Sequence, residues 1–191
     1  MMPGLEQLVV QCAPGAAPQT IMAIVKTESG GRPWTINVNG RTRLARQPAS
    51  LAQAAAWANW LVRHGYSVDI GLMQVNSQHL ARFGATPEQM LDPCFNIAAG
   101  TRILSEYYDS ASLRYGGPRV PLLAALSAYN TGNFRAGVRN GYVGRVVKAA
   151  AASAREPQAV SRNGPDPAPE LLVFGTQHNE PTVTFVTVPG R

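Results

Sequence analysis

The sequence predicts a mainly helical domain that carries one small β element and ends in a proline-rich tail. Three observations lead there. Apolar residues recur at helical spacing in segment after segment. One short stretch, Thr35 to Leu44, alternates and holds an Asn39-Gly40 pair, the strongest short-range signal for a hairpin. From about Ser153 onward, Pro157, Pro165, Pro167, Pro169, Pro181 and Pro189 interrupt every helical window. The expected division is a folded domain over residues 1–152 and a flexible tail over 153–191, in which LLVF and TVTFVTV are the only strand-like runs.

The elements follow in order. Leu5, Leu8 and Val9 predict a short first helix that ends near Cys12, and CAPGAAP breaks it. Pro18 suits the first turn of a second helix. Within it Ile21, Ile24 and Val25 form one apolar stripe, and Glu28 falls on the same stripe. Gly30, Gly31 and Pro33 then stop the helix. The alternating TINVNGRTRL is read as a two-stranded ribbon turning at Asn39-Gly40. Pro48 opens an Ala-rich helix to about Arg63 with Trp57, Trp60 and Leu61 on one side, and a Trp pair at this spacing is more often core than a sugar platform. Tyr66 to Asn76 is extended or irregular around Gly71. Thr86-Pro87-Glu88-Gln89 has the form of a capping box before a short helix. Asn96 to about Ala111, Pro121 to Tyr129 and Tyr142 to Arg155 complete the helical set, the last with Val143, Val146 and Val147 inward.

Composition narrows the partners. Hydrophobic residues make up 45% of the 191, enough for a sizeable core, and charged residues only 15%. Lys and Arg number 17 against 11 Asp and Glu, a formal net charge of +6, and Lys26 and Lys148 are the only lysines. An Arg-rich basic surface suits a polyanion: nucleic acid, anionic lipid or an anionic cell-wall polymer. The arginines are scattered, which argues against a nucleic-acid stripe. No apolar run is long enough to span a membrane, and MMPGLEQLVVQC lacks the basic start and apolar length of a secretory signal, so no export signal is evident. Cys12 and Cys94 are too few and too far apart for a metal site or a CxxC pair. They are either buried thiols or one disulfide, depending on the compartment.

Glu28 is the residue with chemistry in prospect. It is a carboxyl group at the last turn of an apolar helix. Burial disfavours its charged form, and the negative helix C-terminus pushes the same way. A carboxylic acid that stays protonated near neutral pH is what a glycosidase uses on a leaving oxygen. Taken alone, the segment reads more readily as a partly exposed Glu at a helix end.

Three stretches change that balance: Glu28-Ser29 at a helix end, Gly71-Leu72-Met73-Gln74 at a bend, and Ala128-Tyr129-Asn130 at another helix end. In this order they resemble the soluble lytic transglycosylases, whose α+β fold is similar to goose-type lysozyme. SVDIGLMQVN, LSAYNTGN, CAP near the start and DPCFN around Cys94 resemble the VirB1-like branch, the wall-opening enzymes of type IV secretion and conjugation systems. The resemblance covers about residues 8–148 and leaves the tail unexplained.

The resemblance implies a lysozyme-like fold and a periplasmic enzyme that cuts peptidoglycan between N-acetylmuramic acid and N-acetylglucosamine. It implies Glu28 as the single acid and base, with a 1,6-anhydro product and no metal or cofactor. It implies a substrate-binding set in which Ser29 helps orient the cleft, Gly71, Leu72, Met73 and Gln74 form the sugar-binding wall, and Tyr129 and Asn130 approach the acid from the opposite helix; Asn76 either bonds a sugar or closes a turn. It also implies a Cys12–Cys94 disulfide, and secretion-system components as partners rather than nucleic acid. Two alternatives stand beside it. A lysozyme-type hydrolase needs a second carboxylate, for which Asp69 is the candidate because it alone lies beside a motif. Asp69 could instead fix the bend by accepting backbone N–H groups. A non-catalytic peptidoglycan-binding scaffold would not need Glu28.

Overall fold

The computed structural model describes residues 4–153. Eight α-helices and three short strands follow one another in chain order among these residues: α1 (Leu5–Cys12), α2 (Pro18–Glu28), β1 (Ile36–Val38), α3 (Leu51–Arg63), β2 (Val68–Ile70), β3 (Val75–Asn76), α4 (Leu80–Phe83), α5 (Pro93–Ser112), α6 (Arg119–Thr131), α7 (Ala136–Arg139) and α8 (Tyr142–Ser153). The mainly helical α+β architecture expected from sequence is what the chain adopts. No helix among the described residues is long and apolar enough to cross a membrane. The tail from residue 154, with its LLVF and TVTFVTV runs, lies outside the described residues.

The core is built around two helices. α5 packs on α6 and α1, and α2 packs on α8 and α1. Ile21, Ile24 and Val25 of α2 are fully buried, as are Ile97 and Leu104 of α5 and Leu122 of α6. Cys12, at the end of α1, forms a disulfide with Cys94, at the start of α5, with the Cα atoms 5.3 Å apart. The bridge spans 82 positions, for which loop-closure entropy gives roughly 4–5 kcal/mol. It ties the chain's first helix to the helix that supports the site.

The helix ends are set by local chemistry. Pro18 occupies the first turn of α2, where no intrahelical N–H is needed. α3 starts at Leu51 rather than at Pro48. There Ser50 Oγ accepts from Gln53 N, and Gln53 Oε1 accepts from Ala49 N, a near-reciprocal cap. Thr86 and Gln89 make the expected capping box, with Thr86 Oγ1 accepting from Gln89 N and Gln89 Oε1 from Thr86 N. α5 begins three residues earlier than the periodicity indicates, because Asp92 Oδ1 caps Phe95 N and Pro93 suits the first turn.

The β element differs from the sequence expectation. The ribbon turning at Asn39-Gly40 does not form. β1 pairs antiparallel with β2, Ile36 opposite Ile70 and Val38 opposite Val68, and β2 pairs with β3, Ile70 opposite Val75. The true hairpin therefore turns at Gly71. The physical reason is burial. Ile36, Val38, Val68, Ile70 and Val75 give the sheet one apolar face, whereas Arg41, Thr42 and Arg43 have nothing to bury. The outer edge of β1 is closed by a side chain. Gln47 Oε1 accepts from Ile36 N and Gln47 Nε2 donates to Ile36 O, both at 2.9 Å. Trp60 also departs from expectation. It is 49% exposed rather than core, while Trp57 is partly buried against the core.

Candidate active site

Glu28 is the last residue of α2, at the end of the stripe that buries Ile21, Ile24 and Val25. Its turn is locked from behind. Ser29 Oγ donates to Val25 O and accepts from Gly31 N. Ser29 is buried and fixes the helix end; it does not line the groove. Among the described residues the carboxyl group has one hydrogen-bond partner, Tyr142, whose hydroxyl donates to Glu28 Oε1 at 2.6 Å. Tyr142 is 2% exposed and opens α8, where Asn140 Oδ1 accepts from its backbone N–H. Burial raises the Glu28 pKa from 4.5 to about 7; the Tyr142 bond opposes this, nearby Asp69 adds to it, and Arg145 opposes it.

Facing Glu28 is the polar face of the sheet. Residues alternate in strands, so burying Val68 and Ile70 turns Asp69 to the other side. Asn76 stands directly opposite Asp69 in the β2–β3 ladder and donates its Nδ2 to Asp69 Oδ1 at 2.7 Å. The same Asn76 Nδ2 also donates to Ser67 Oγ, and its Oδ1 accepts from Gln78 N. Burial raises the Asp69 pKa, while hydrogen bonds from Asn76 and Asn39 and the charge of His79 pull it down. Asp69 thus lines the groove and is held by side-chain amides rather than by the backbone of the bend.

The bend itself is a network of backbone contacts. Gly71 has φ +80°, and a Cβ there would lie 2.5 Å from Asn96 Nδ2, so glycine is required twice over. Asn96 is completely buried. Its Nδ2 donates to Ile70 O and Met90 O, and its Oδ1 accepts from Met73 N. Gln74 carries the only positive φ of a non-glycine residue among the described residues, +52°. Its side chain folds into the turn, with Nε2 donating to Gly71 O and Thr35 O and Oε1 accepting from Asn37 Nδ2. Tyr129 Oη donates to Met73 O at 2.7 Å. Gly100 on α5 permits this approach, since a Cβ there would come within 2.9 Å of Tyr129 Oη and Met73.

These parts enclose a groove of about 230 Å³ lined by Glu28 and Tyr129 on the helical side and by Asn39, Asp69, Gln74 and Asn76 on the sheet side. Asn130 and His79 stand at its rim. Asn140 Nδ2 donates to Asn130 Oδ1 at 2.9 Å, so the rim amide is tied to the loop that delivers Tyr142. Burial, and then Arg82, lower the pKa of His79. Burial lifts the Tyr129 hydroxyl well above its usual range, which keeps it a neutral donor. Among the described residues, no group of three or more His, Cys, Asp or Glu stands together to hold a metal.

The structure therefore brings Glu28, Asp69, Gln74, Asn76, Tyr129 and Asn130 to one groove. It does not place the side chains of Leu72 and Met73 there. Both are fully buried in the core, and Met73 serves the site through its backbone. Gly71 acts through conformation. Sequence reasoning missed Tyr142, Asn96 and Gly100. Tyr142 shares the stripe of Val143 and Val146, which was a readable signal of its burial. Asn96 and Gly100 gave no signal, because the contacts that shape the bend, of Asn96 with Ile70 and Met73 and of Gly100 with Met73 and Tyr129, span 23 or more residues.

A helical domain with a half-buried acid at a helix end and a polar sheet wall across a groove has the build of a lysozyme-like domain. The chain belongs to the family of transglycosylase SLT domains, which its residues 9–152 match. It is 42% identical over 149 residues to the type IV secretion system protein virB1 of Brucella abortus, covering 75% of this chain and 62% of that one. It is 37% identical over 142 residues to the virB1 protein of Agrobacterium fabrum, covering 73% and 56%. The invasion protein IagB of Salmonella typhi is 31% identical over 109 residues, 54% of this chain and 61% of the relative. The chain spans about three-fifths of the length of the curated relatives it matches. No solved structure matches it.

Proposed function

We propose that this chain is a periplasmic peptidoglycan lytic transglycosylase that opens the cell wall locally for a type IV secretion or conjugation system. The observation that carries this reading is Glu28: a groove-lining carboxyl with one donor and a pKa near 7. Such a group is populated in both forms at neutral pH, so it can give a proton and take one back. In the proposed reaction, protonated Glu28 donates to the glycosidic oxygen as the bond from muramic C1 breaks. The resulting carboxylate removes the proton from the muramic C6 hydroxyl, whose oxygen bonds to C1. The product is a 1,6-anhydro sugar, no water enters, and Glu28 ends protonated.

Other residues take supporting roles in this reading. Tyr142 orients the carboxyl and stabilises its charged form. Asn76, Gln74, Asn130 and Tyr129 offer amide and hydroxyl groups to the acetamido sugars. The substrate's peptide carboxylates suit a protein of net charge +6. Residues 1–152 form the catalytic domain, and the tail over 153–191 is dispensable for catalysis.

One observation favours a second reading. Asp69 shares the groove with Glu28 and raises its pKa, as the second carboxylate of a hydrolase could. The experiment that tests catalysis is a zymogram of wild type against Glu28→Gln. Clearing by wild type alone supports the enzyme reading. Equal clearing by both rejects Glu28 as the acid, and clearing by neither supports a binding scaffold.

A further inference from the structure

The Trp57 and Trp60 side chains lie apart from the catalytic groove and have no role in the chemistry above. They line a second depression of about 380 Å³ together with Leu44, Ala45, Arg46 and Leu61. Trp60 is 49% exposed. It is part of a row of rings, stacked with His64 at 4.0 Å between centroids and with Tyr66 at 6.1 Å, the planes within 23°. The Arg46 guanidinium stands over the Trp57 ring, 5.9 Å from its centroid. A half-exposed Trp in such a row is costly to leave in water and is the kind of patch that marks a binding surface.

The chain segment that carries this patch holds charge of one sign. Residues 29–68 contain Arg32, Arg41, Arg43, Arg46 and Arg63 and no Asp or Glu. Arg41, Arg43, Arg46 and Arg63 are exposed, and the ion pairs among the described residues are those of Glu106 with Arg82 and Arg102. The patch also adjoins the groove through one loop. That loop leaves the sheet at Asn39, which lines the groove, and reaches Arg46, which lines the depression. Seven steps of chain separate these residues, so they are at most about 25 Å apart. Gln47 pins the far end of the loop to Ile36.

We propose that the Trp57–Trp60 face of α3 and the arginine loop 39–46 form a second, non-catalytic saccharide site, which holds an anionic, N-acetylated glycan strand beside the groove. The choice of ligand rests on the reading that the groove takes peptidoglycan. Aromatic faces suit the C–H faces of pyranose rings, and the arginines suit the carboxylates that such a strand carries on its peptide substituents. The site would hold a long strand while the groove cuts it, and it adds nothing to the cutting of a short fragment.

The test uses the full chain with Trp60→Ala and, separately, Arg46→Glu, both at exposed positions. Co-sedimentation with purified sacculi is measured in the Glu28→Gln background, and turnover of a short soluble muropeptide in the active one. Each substitution should weaken sacculus binding by about tenfold or more, as truncation of a central aromatic or Arg contact does, and leave soluble turnover unchanged. Unchanged sacculus binding, with wild type cutting sacculi normally, overturns the site but not the catalytic reading. A parallel fall in soluble turnover overturns it too, because the damage then reaches the whole domain. Vesicles of phosphatidylglycerol or single-stranded DNA serve as controls. Loss of binding to either of them, with sacculus binding intact, assigns the surface to a membrane or a nucleic acid instead. Wild type that neither binds nor cuts sacculi ends both proposals.

Discussion

The two walls of the groove each carry a carboxyl group, and they set it differently. On the helical wall Glu28 has one hydrogen-bond donor, Tyr142, and burial dominates, so it titrates near 7. On the sheet wall Asp69 is also lifted by burial, but amides of Asn76 and Asn39 and the charge of His79 work against the rise. On one wall burial lifts the acid to about 7 against a single donor; on the other, amide donors and a neighbouring histidine charge work against the rise. The difference comes from the elements. A helix end brings an apolar stripe with its carboxyl, whereas an antiparallel ladder puts a polar partner directly opposite.

The largest expected effect comes from removing the acid. Glu28→Gln should lower cell-wall cleavage by at least about 10³-fold, since in the proposed reaction the one group serves as acid and base. The same substitution tests the burial of the charge. Because the folded-state pKa lies above the unfolded value, the folded state holds its proton more tightly, and stability is lost as pH rises from 4.5 through about 7. The rise from 4.5 to about 7 corresponds to roughly 3 kcal/mol at most. Glu28→Gln should therefore melt higher than wild type at pH 8 and level with it at pH 4, as read by calorimetry.

The next effect concerns the rigid turn that connects the walls. Gly71→Ala puts a Cβ 2.5 Å from Asn96 Nδ2 at φ +80° and should cost roughly 3 kcal/mol. Gly30→Ala, also at positive φ but with open space around it, should cost only about 1 kcal/mol. Urea melts of the two variants compare them. Equal losses would mean that backbone strain, and not the Asn96 contact, is what glycine relieves.

The smallest effects separate the walls most finely. Tyr142→Phe removes the bond that lowers the Glu28 pKa, so the alkaline limb of the kcat/KM profile should move to higher pH. Asp69→Asn removes a charge that raises it, so the limb should move to lower pH. Tyr142→Phe should also slow the reaction by about tenfold or more, through loss of carboxyl orientation. Shifts of the same sign in both variants would break the contrast between the walls.

What was legible in the sequence follows the range of the forces. The second helix, its stop and the place of Glu28 on its stripe are local matters, read from residues three or four apart. The capping box at Thr86–Gln89 is local too. The hairpin was misread because Asn39-Gly40 is a good turn in isolation. Pairing was decided by which strand could bury apolar residues against Ile36 and Val38, and that strand lies some thirty residues further on. Met73 was assigned to the sugar wall from its motif, but its side chain is core and its carbonyl does the work for Tyr129. Asn96 reaches Met73 across 23 positions and Tyr142 reaches Glu28 across 114, and the choice of those partners has no local signature even where burial does.

In the proposed reaction Glu28 acts alone, and Asp69 is part of the wall rather than a second catalytic carboxylate. Mass spectrometry of muropeptides released by the purified enzyme in heavy-oxygen water tests this most directly. The predicted products are 1,6-anhydro sugars, one water lighter than reducing sugars and free of label, for both wild type and Asp69→Asn. Heavy oxygen at the new muramic C1, lost on Asp69→Asn, would contradict the account and make the two carboxyls a hydrolytic pair.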